Sequence, residues 1–323
     1  MRKAALLYNP DSGGSGAKRL KRLQAALEVL NGAGVDAELV ASDSRDRADA
    51  LTRRAIAAGC DTIFACGGDG TMHNIAQALA NTPVALGVLP MGTANALAHD
   101  LGLPTNLAVA AKILLNATPR RIALGHVKYI DLHGSTNSRY FVITAGVGVD
   151  AHLFYKLLTG TKQRMGMAAY YAKAWHMWFT YAMTRFRASY SESESPESKS
   201  ISLTELLAVR IRDFGGVVRE LAPGASLERD DMRLILCQTD RRLSYLAYVT
   251  RGTLRQGWRV PGIDLVHSKK VSCEYESSSQ KKDPRIYVEA DGELLGTLPA
   301  EITVVPDALT LLMPRTSAPR STP

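Results

Sequence analysis

The sequence predicts an α/β N-terminal domain built on a doubly wound, mostly parallel sheet, followed by a mostly antiparallel β-sandwich C-terminal domain. Two observations carry this prediction. Strand-like and helix-like segments alternate four times between residues 3 and 100, which is typical of a parallel sheet covered by helices. From about residue 120 the segments are mainly strand-like, and several alternate between apolar and polar residues, as in antiparallel sheets. A chain of 323 residues is long enough for two medium domains.

The strands of the first domain are short apolar runs. The third run has β-branched members and is typical of a buried central strand. Helices are predicted at residues 17–30, where leucines recur at helical spacing, and at residues 46–59, a segment that ends in glycine. Because ligands bind at the carboxyl ends of parallel strands, the loops after the first, third and fourth strands are expected to converge on one ligand. The predicted strands are residues 3–8, 37–41, 61–66 and 83–89.

The loop after the third strand is glycine-rich and reads Cys66-Gly67-Gly68-Asp69-Gly70-Thr71. Glycines let the backbone approach a ligand closely, and the N-terminus of the helix that follows attracts an anion such as phosphate. An acidic side chain there would repel phosphate unless a cation lies between them, or unless it handles a proton. Asp69 is therefore the informative residue. The alternative is a tight turn in which Asp69 caps the helix.

The second domain is predicted from strand-like segments at residues 139–145, 206–212, 232–237 and 285–289. Between them, the aromatic segment 165–187 is too polar for a membrane span. It is expected to be a core helix, with a lipid-facing lid or interfacial helix as the alternative. The predicted domains are residues 1–124 and 125–302, with residues 303–314 as a segment that could return to the first domain and residues 315–323 as a disordered tail.

The composition, with 46% hydrophobic and 22% charged residues, fits a protein that buries a core. The formal net charge of +8 suits an anionic ligand, an acidic membrane surface or nucleic acid, without choosing between them. The four cysteines are scattered and form no C-x-x-C pair, which favours reduced thiols in a reducing cytoplasm. The apolar run before Asn9 is too short for the core of a signal peptide.

Several common ligand motifs are absent from the sequence. It contains no P-loop motif, no complete dinucleotide-binding glycine motif and no H-E-x-x-H zinc motif. No nucleic-acid motif accompanies its cluster of arginines, so no nucleic-acid partner is expected. These arginines are expected to face solvent or anionic lipid headgroups; they are Arg241, Arg242, Arg251, Arg255 and Arg259.

Three loop motifs occur in the order Asn9-Pro-x-Ser-Gly-Gly, Gly67-Gly-Asp-Gly-Thr71 and Pro90-Met-Gly-Thr-Ala-Asn95. In this order they resemble the diacylglycerol kinase catalytic-domain family, which includes bacterial lipid kinases and sphingosine kinases. Two further matches are the G-x-G-x-D segment that ends at Asp150 and the late Asp291-Gly-Glu293. NAD kinases and phosphofructokinases contain a segment that resembles the Gly-Gly-Asp-Gly-Thr motif too. This sequence, however, lacks the N-L-G-F segment of NAD kinases.

The resemblance implies a nucleotide-binding α/β domain, a β-sandwich domain and an active site in the cleft between them. It implies Mg²⁺ at Asp69, and a proton acceptor for the lipid hydroxyl at Glu293 or, as the less favoured choice, Asp291. The alternative for Asp291-Gly292 is a hairpin turn that presents Glu293. By the same resemblance, ATP would be held by Asn9, Ser12, Gly13, Ser42, Gly67, Gly68, Asp69, Gly70, Thr71, Met72, His73, Thr93 and Asn95.

The chain departs from the family pattern at three positions. Ala96 and Ala123 stand where many relatives carry acidic residues, which puts in doubt an acid-and-water Mg²⁺ network proposed from those relatives. In the segment 226–231, Arg229 stands where relatives with an S-L-x-D-G motif carry the aspartate. In some of them that motif binds a structural metal, which is therefore not expected here.

The leading hypothesis is a kinase that uses ATP and Mg²⁺ to phosphorylate a lipid hydroxyl, diacylglycerol-like or sphingoid-like, at a membrane surface. The protein would be cytoplasmic and peripherally associated with the membrane, without a transmembrane segment, and a homodimer is possible. One alternative is a kinase of a soluble small molecule, similar to an NAD kinase. The other is a non-catalytic module that binds a nucleotide or an anionic membrane.

Overall fold

The computed structural model describes residues 1–10, 16–42, 45–148, 183–195, 197–215, 220–254, 257–276 and 285–315. Most of the predicted aromatic helix and nearly all of the predicted tail lie outside these residues. The chain divides into two compact units: Met1–Ile122 together with Asp307–Pro323, and Ala123–Pro306. The assignment of nucleotide binding to the first unit and of acceptor binding to the second stays a prediction. Within the described ranges, no helix is both long enough and apolar enough to cross a bilayer.

The first unit alternates strands and helices. Its elements are β1 (Lys3–Tyr8), α1 (Gly16–Gly32), β2 (Asp36–Ala41), α2 (Arg45–Ala57), β3 (Thr62–Gly67), α3 (Asp69–Leu79), β4 (Ala85–Pro90), α4 (Ala96–Asp100) and α5 (Leu107–Leu115). The strands pair in parallel in the order β4-β3-β1-β2. Near its C-terminal end, the long strand β15 (Glu293–Met313) adds a further parallel neighbour beside β4.

Burial explains why the central strands are apolar throughout. All six residues of β3 and all six of β4 are buried. α1 packs with α5, and α2 packs with α3, as expected for a sheet that helices cover on both faces. The order of the strands reverses between β1 and β3, and at such a switch point the loops after the strands leave room for a ligand. The predicted doubly wound parallel sheet is confirmed.

The second unit is mainly β. Its elements are β5 (Thr118–Asp131), which begins in the first unit, β6 (Thr136–Phe141), β7 (Thr144–Gly148), β8 (Phe186–Ser191), β9 (Ser198–Leu203), β10 (Glu205–Val209), β11 (Met232–Cys237), α6 (Arg242–Leu254), β12 (Ile263–Ser268), β13 (Lys270–Tyr275), β14 (Tyr287–Ala290) and the start of β15. The neighbours in the order β12-β11-β10-β7-β14-β15 pair antiparallel. β13, β8 and β9 extend the unit from another part of β15.

Alternate residues of these strands form one apolar core, as period-two patterning requires. The predicted mostly antiparallel, sandwich-like region is thereby confirmed. Core side chains come from most of the strands, among them Phe141, Phe186, Leu206, Leu234 and Val288.

One predicted strand, residues 139–145, is two strands in the structure. β6 ends at Phe141 and β7 begins at Thr144. At the break, the backbone N–H groups of Val142, Ile143 and Thr144 donate to the carboxylate of Asp291. A distant side chain therefore takes hydrogen bonds that would otherwise need a partner strand, and this break could not be read from the apolar run alone.

The buried guanidinium of Arg210 packs against the segment 226–231 as an internal cation. The guanidinium of Arg210 is fully buried and donates to the carbonyls of Asp231 (2.7 Å), Ala123 (2.9 Å) and Arg229 (3.2 Å). Burial lowers the pKa of Arg210 to about 10, so it stays charged at neutral pH. The Asp231 carboxylate is already held by Arg229 Nε (2.7 Å) and Nη2 (2.6 Å). These residues do not fit a structural metal site, because guanidinium groups occupy the buried carboxylate and carbonyl oxygens and no group of three or more His, Cys, Asp or Glu side chains in the described residues could hold a metal ion.

We expect the substitution Arg210→Met to lower the free energy of unfolding by about 2–4 kcal/mol, because three carbonyl acceptors lose their donor. Denaturant unfolding measures this change. Addition of EDTA to the wild-type protein should leave the unfolding curve unchanged. The control Arg187→Met removes an exposed arginine from β8 and should change stability by less than about 0.5 kcal/mol. A clear loss of stability in EDTA would contradict the internal-cation interpretation.

Candidate active site

The turn between β3 and α3 is built from glycines. Gly68 is the N-cap residue of α3 and has no side chain to form a capping hydrogen bond. Asp69 is the first residue of the helix and only 7% exposed, so Gly68 and not Asp69 occupies the N-cap position. An acidic residue in the first turn is favoured by the helix dipole. It also lies where an anion would otherwise bind.

The turns after β3 and β4 touch through their backbones. Met91 N donates to Gly67 O over 2.9 Å. A Cβ atom on Gly92 would lie 2.5 Å from the Cα of Gly68 and 2.9 Å from Asn95 Oδ1, which is closer than atoms can pack. Only glycine allows this approach. The structure thus brings together two of the loops that the sequence predicted to converge.

Asn95 fixes the second turn. Its side-chain Oδ1 accepts from Gly92 N and its Nδ2 donates to Gly92 O, both over 2.8 Å. Its backbone is left-handed, with φ 51°, a conformation that asparagine tolerates better than most residues. The side chain of Asn95 is therefore engaged within its own loop, while the neighbouring Thr93 is exposed and available for a ligand.

The remaining predicted nucleotide-binding residues divide into four groups. Asn9 follows β1 and Ser42 follows β2, and Ser42 N donates to Tyr8 O over 2.8 Å, so both lie at the same edge of the sheet as the glycine turns. Ser12 and Gly13 lie outside the described residues. The side chains of Met72 and His73 on α3 are buried. Gly67, Gly70 and Thr71 belong to the turn and to the first residues of α3.

The acids expected of a larger Mg²⁺ network are absent in sequence, and the structure does not replace them. Ala96 and Ala123 are both buried. No group of three or more His, Cys, Asp or Glu side chains in the described ranges could hold a metal ion by itself. A cation at Asp69 would therefore need ligand oxygens from elsewhere. Phosphate groups commonly supply them, because Mg²⁺ is usually bound by one or two carboxylates together with substrate phosphates.

The Asp291-Gly292 pair is the two-residue turn between β14 and β15. Both residues have positive φ, 47° and 83°, as in the type I′ hairpin turns that Asp-Gly favours. The Asp291 carboxylate is 1% exposed. Its Oδ2 accepts from Val142 N (3.0 Å), and its Oδ1 accepts from Ile143 N (2.8 Å) and Thr144 N (3.0 Å).

Glu293, the other predicted base, is only half-buried. The turn therefore separates two carboxylates: that of Asp291 is fixed by three backbone N–H groups, and that of Glu293 is partly exposed.

Sequence reasoning missed two buried carboxylates in the second unit. Glu205 on β10 lies opposite Gly148, and Glu289 on β14 lies opposite Gly146. They are 1% and 2% exposed. The available signal was a lone glutamate within an apolar strand. Asp150, which completes the G-x-G-x-D segment, lies outside the described residues.

Comparisons with known proteins match both parts of the chain. Residues 3–127 match the family described as diacylglycerol kinase catalytic domain, and residues 143–313 match the one described as YegS C-terminal NAD kinase beta sandwich-like domain. A protein named diacylglycerol kinase from Mycobacterium tuberculosis (strain ATCC 25618 / H37Rv) is 31% identical over 319 residues, which cover 97% of this chain and 96% of that protein.

A second protein of that name, from Bacillus subtilis (strain 168), is 27% identical over 322 residues and covers 98% of both chains. Among solved structures, the crystal structure of a diacylglycerol kinase from Bacillus anthracis str. Sterne superposes with a TM-score of 0.71 at 17% identity. The match covers 97% of this chain and 96% of that chain. This likeness shows the fold.

We expect Gly92→Ala to lower the free energy of unfolding by about 1–3 kcal/mol, because the new methyl group must push the two turns apart. Chemical denaturation and amide NMR shifts at residues 67–71 measure the effect. Gly32→Ala is the matched control, since nothing lies within 4 Å of a Cβ atom at the end of α1. If both variants are equally stable and their spectra unchanged, the turns do not touch as described.

Proposed function

Because the chain belongs to the diacylglycerol kinase family, we propose that it transfers the γ-phosphate of ATP to the hydroxyl group of a lipid, diacylglycerol-like or sphingoid-like. The observation that carries the proposal is the contact between the two glycine turns beside the buried Asp69. Phosphoryl transfer depends mainly on positioning and charge neutralisation, and two backbone turns at one sheet edge are suited to both.

The nucleotide would bind at the carboxyl ends of the parallel strands. Backbone N–H groups of the turn at residues 67–71 and the N-terminus of α3 are suited to phosphate oxygens. The exposed hydroxyl of Thr93 lies on the adjoining turn. Asn9 and Ser42 lie along the same edge, after β1 and β2, where they would contact the rest of the nucleotide.

The position of Asp69 in a phosphate-binding turn is explained if a cation lies between its carboxylate and the phosphates. Its carboxylate is buried in the first turn of α3, where it would otherwise repel the ligand. When bound, Mg²⁺ supplies neutralisation of phosphate charge. Asp69 would hold it, with the remaining ligands from phosphate and water.

Glu293 is the proposed proton acceptor, and Asp291 is proposed to position it. The Asp291 carboxylate already accepts three backbone N–H groups, which fix the carboxylate against the break between β6 and β7. Glu293 follows the fixed turn, so its backbone is held by Asp291 while its half-buried side chain can reach a hydroxyl.

The first test is the substitution Asp69→Asn, assayed by transfer of radiolabel from ATP to diacylglycerol and to sphingosine in mixed micelles. We expect at least about a 100-fold loss of turnover, the scale seen when one preorganised electrostatic group is removed from an active site. Asp49→Asn, on the exposed face of α2, should retain activity. Label that appears only in water-soluble acceptors would indicate a kinase of a soluble small molecule, and near-normal turnover of Asp69→Asn would contradict the proposal.

The second test compares Glu293→Gln with Asp291→Asn. We expect Glu293→Gln to reduce kcat by about 100-fold or more with an unchanged unfolding curve. Asp291→Asn should reduce activity and also cost about 1–3 kcal/mol of stability, because an amide cannot accept all three N–H groups as well as a carboxylate does. The role of Glu293 as base would be refuted by full activity of Glu293→Gln. Unchanged stability of Asp291→Asn would refute the anchoring role of Asp291.

A further inference from the structure

The second unit contains a cluster of basic side chains that the proposed kinase reaction does not use. The cluster lies where α6 and the segment 221–231 pack near β11 and β12, and β11 is three strands away from β14 in the sheet order. It consists of Arg229, Arg233, Arg251 and His267, and we call it the basic cluster. The sequence predicted that Arg251 faces solvent or lipid headgroups, but it is only 7% exposed. Arg241 and Arg259, by contrast, are exposed.

Local packing holds these side chains in place. Arg233 on β11 lies directly opposite His267 on β12. The guanidinium carbon of Arg251 lies 4.5 Å from the centroid of the Tyr248 ring, one turn earlier on α6, a cation–π geometry. The Tyr248 hydroxyl donates to Leu221 O over 2.6 Å. This bond ties α6 to the segment 221–231.

Both Arg233 and His267 face Gly224 of that segment. A Cβ atom built on Gly224 would lie 3.1 Å from His267 Nε2 and 3.9 Å from Arg233 Nε. Two nitrogen atoms from neighbouring strands thus approach the same glycine, which offers no side chain of its own.

The carboxylate in this region is already engaged. Asp231 binds Arg229 through two hydrogen bonds and faces His267 Nδ1 over 3.1 Å. No carboxylate among the described residues pairs with Arg233 or Arg251. Arg233 Nε and Arg251 Nη2 are both buried without a hydrogen-bond acceptor in the part of the chain that the structure describes.

Buried guanidinium groups without acceptors are costly. Burial lowers the pKa of Arg233, and the nearby charges of Arg229 and Arg251 lower it further, against the opposing effects of Tyr248 and Asp231. Burial also lowers the pKa of His267. Arg233 and Arg251 therefore each have a buried donor without an acceptor among the described residues, Arg233 also lies near like charges, and a bound anion would relieve both costs.

We propose that Arg233 and Arg251 form a second anion site, which binds the phosphate group of either an anionic lipid headgroup or free phosphate. Arginine suits this ligand because its planar guanidinium offers paired N–H donors to phosphate oxygens. Arg233 is only half-buried, so it leaves an approach from solvent, and the N–H donors of Arg251 lie deeper. The site goes beyond the proposed kinase reaction and does not depend on it.

The test measures binding rather than turnover, so its outcome is independent of the kinase assay. Thermal unfolding is followed with increasing inorganic phosphate against matched sodium chloride, and flotation is followed with phosphatidylcholine vesicles with and without phosphatidylglycerol. We expect phosphate or the anionic vesicles to bind the wild-type protein, and Arg233→Gln to weaken that binding about tenfold or more, as for loss of a charge-assisted hydrogen bond. Arg251→Lys, which keeps the charge but loses the planar fork, should weaken it as well.

Arg241→Gln is the control, because it removes the same charge from an exposed position just before α6. Binding of phosphate alone identifies a free-anion site, and binding of anionic vesicles alone identifies a headgroup site; either supports the proposal. The proposal is overturned if neither probe binds, or if Arg241→Gln weakens binding as much as Arg233→Gln does. Unaltered binding by both Arg233→Gln and Arg251→Lys overturns it too.

Discussion

The backbone contact between Gly68 and Gly92 is the constraint on which the rest of the first unit depends. β3 and β4 are parallel neighbours, so their following turns leave the sheet side by side, and a side chain at Gly92 would separate them. Helix α3 begins at this contact, with Gly68 as its N-cap residue, so the positive end of the helix dipole lies at the same place. The apolar strands, the glycine turns and the start of α3 therefore form one arrangement, which includes the buried Asp69.

In the second unit, the Asp291 carboxylate accepts backbone hydrogen bonds that a partner strand would accept elsewhere in the sheet. Asp291 accepts three N–H groups at the break between β6 and β7, so it both ends one strand and fixes the turn that leads to Glu293. The two acids of one short motif thus have different physical roles. One is buried and saturated with hydrogen bonds, and the other is held at the end of a rigid turn. The proposed base therefore follows directly after a turn whose first residue is fixed by hydrogen bonds.

Arginines in the second unit have several distinct structural roles. Arg210 supplies the charge that the carbonyls of the segment 226–231 accept, and Arg229 neutralises the one buried aspartate there. Arg233 Nε and Arg251 Nη2 have no acceptor among the described residues, which is why this region suits an anion. The formal net charge of +8 therefore includes buried arginines at specific positions. It does not consist only of exposed charges that would attract acidic surfaces in general.

The sequence by itself determined the fold class and the place of the phosphate loops. Alternation of strands and helices dictates a parallel sheet, and parallel strands bring their following loops to one edge whatever the side chains are. The tertiary structure alone decided which polar residues are engaged. The hydrogen bond from Val142 to Asp291 joins residues 149 positions apart, and the buried Glu205 and Glu289 pair with strand β7, which is distant from both in the chain. Local patterns cannot report such contacts, because burial and hydrogen bonding are properties of elements packed against one another.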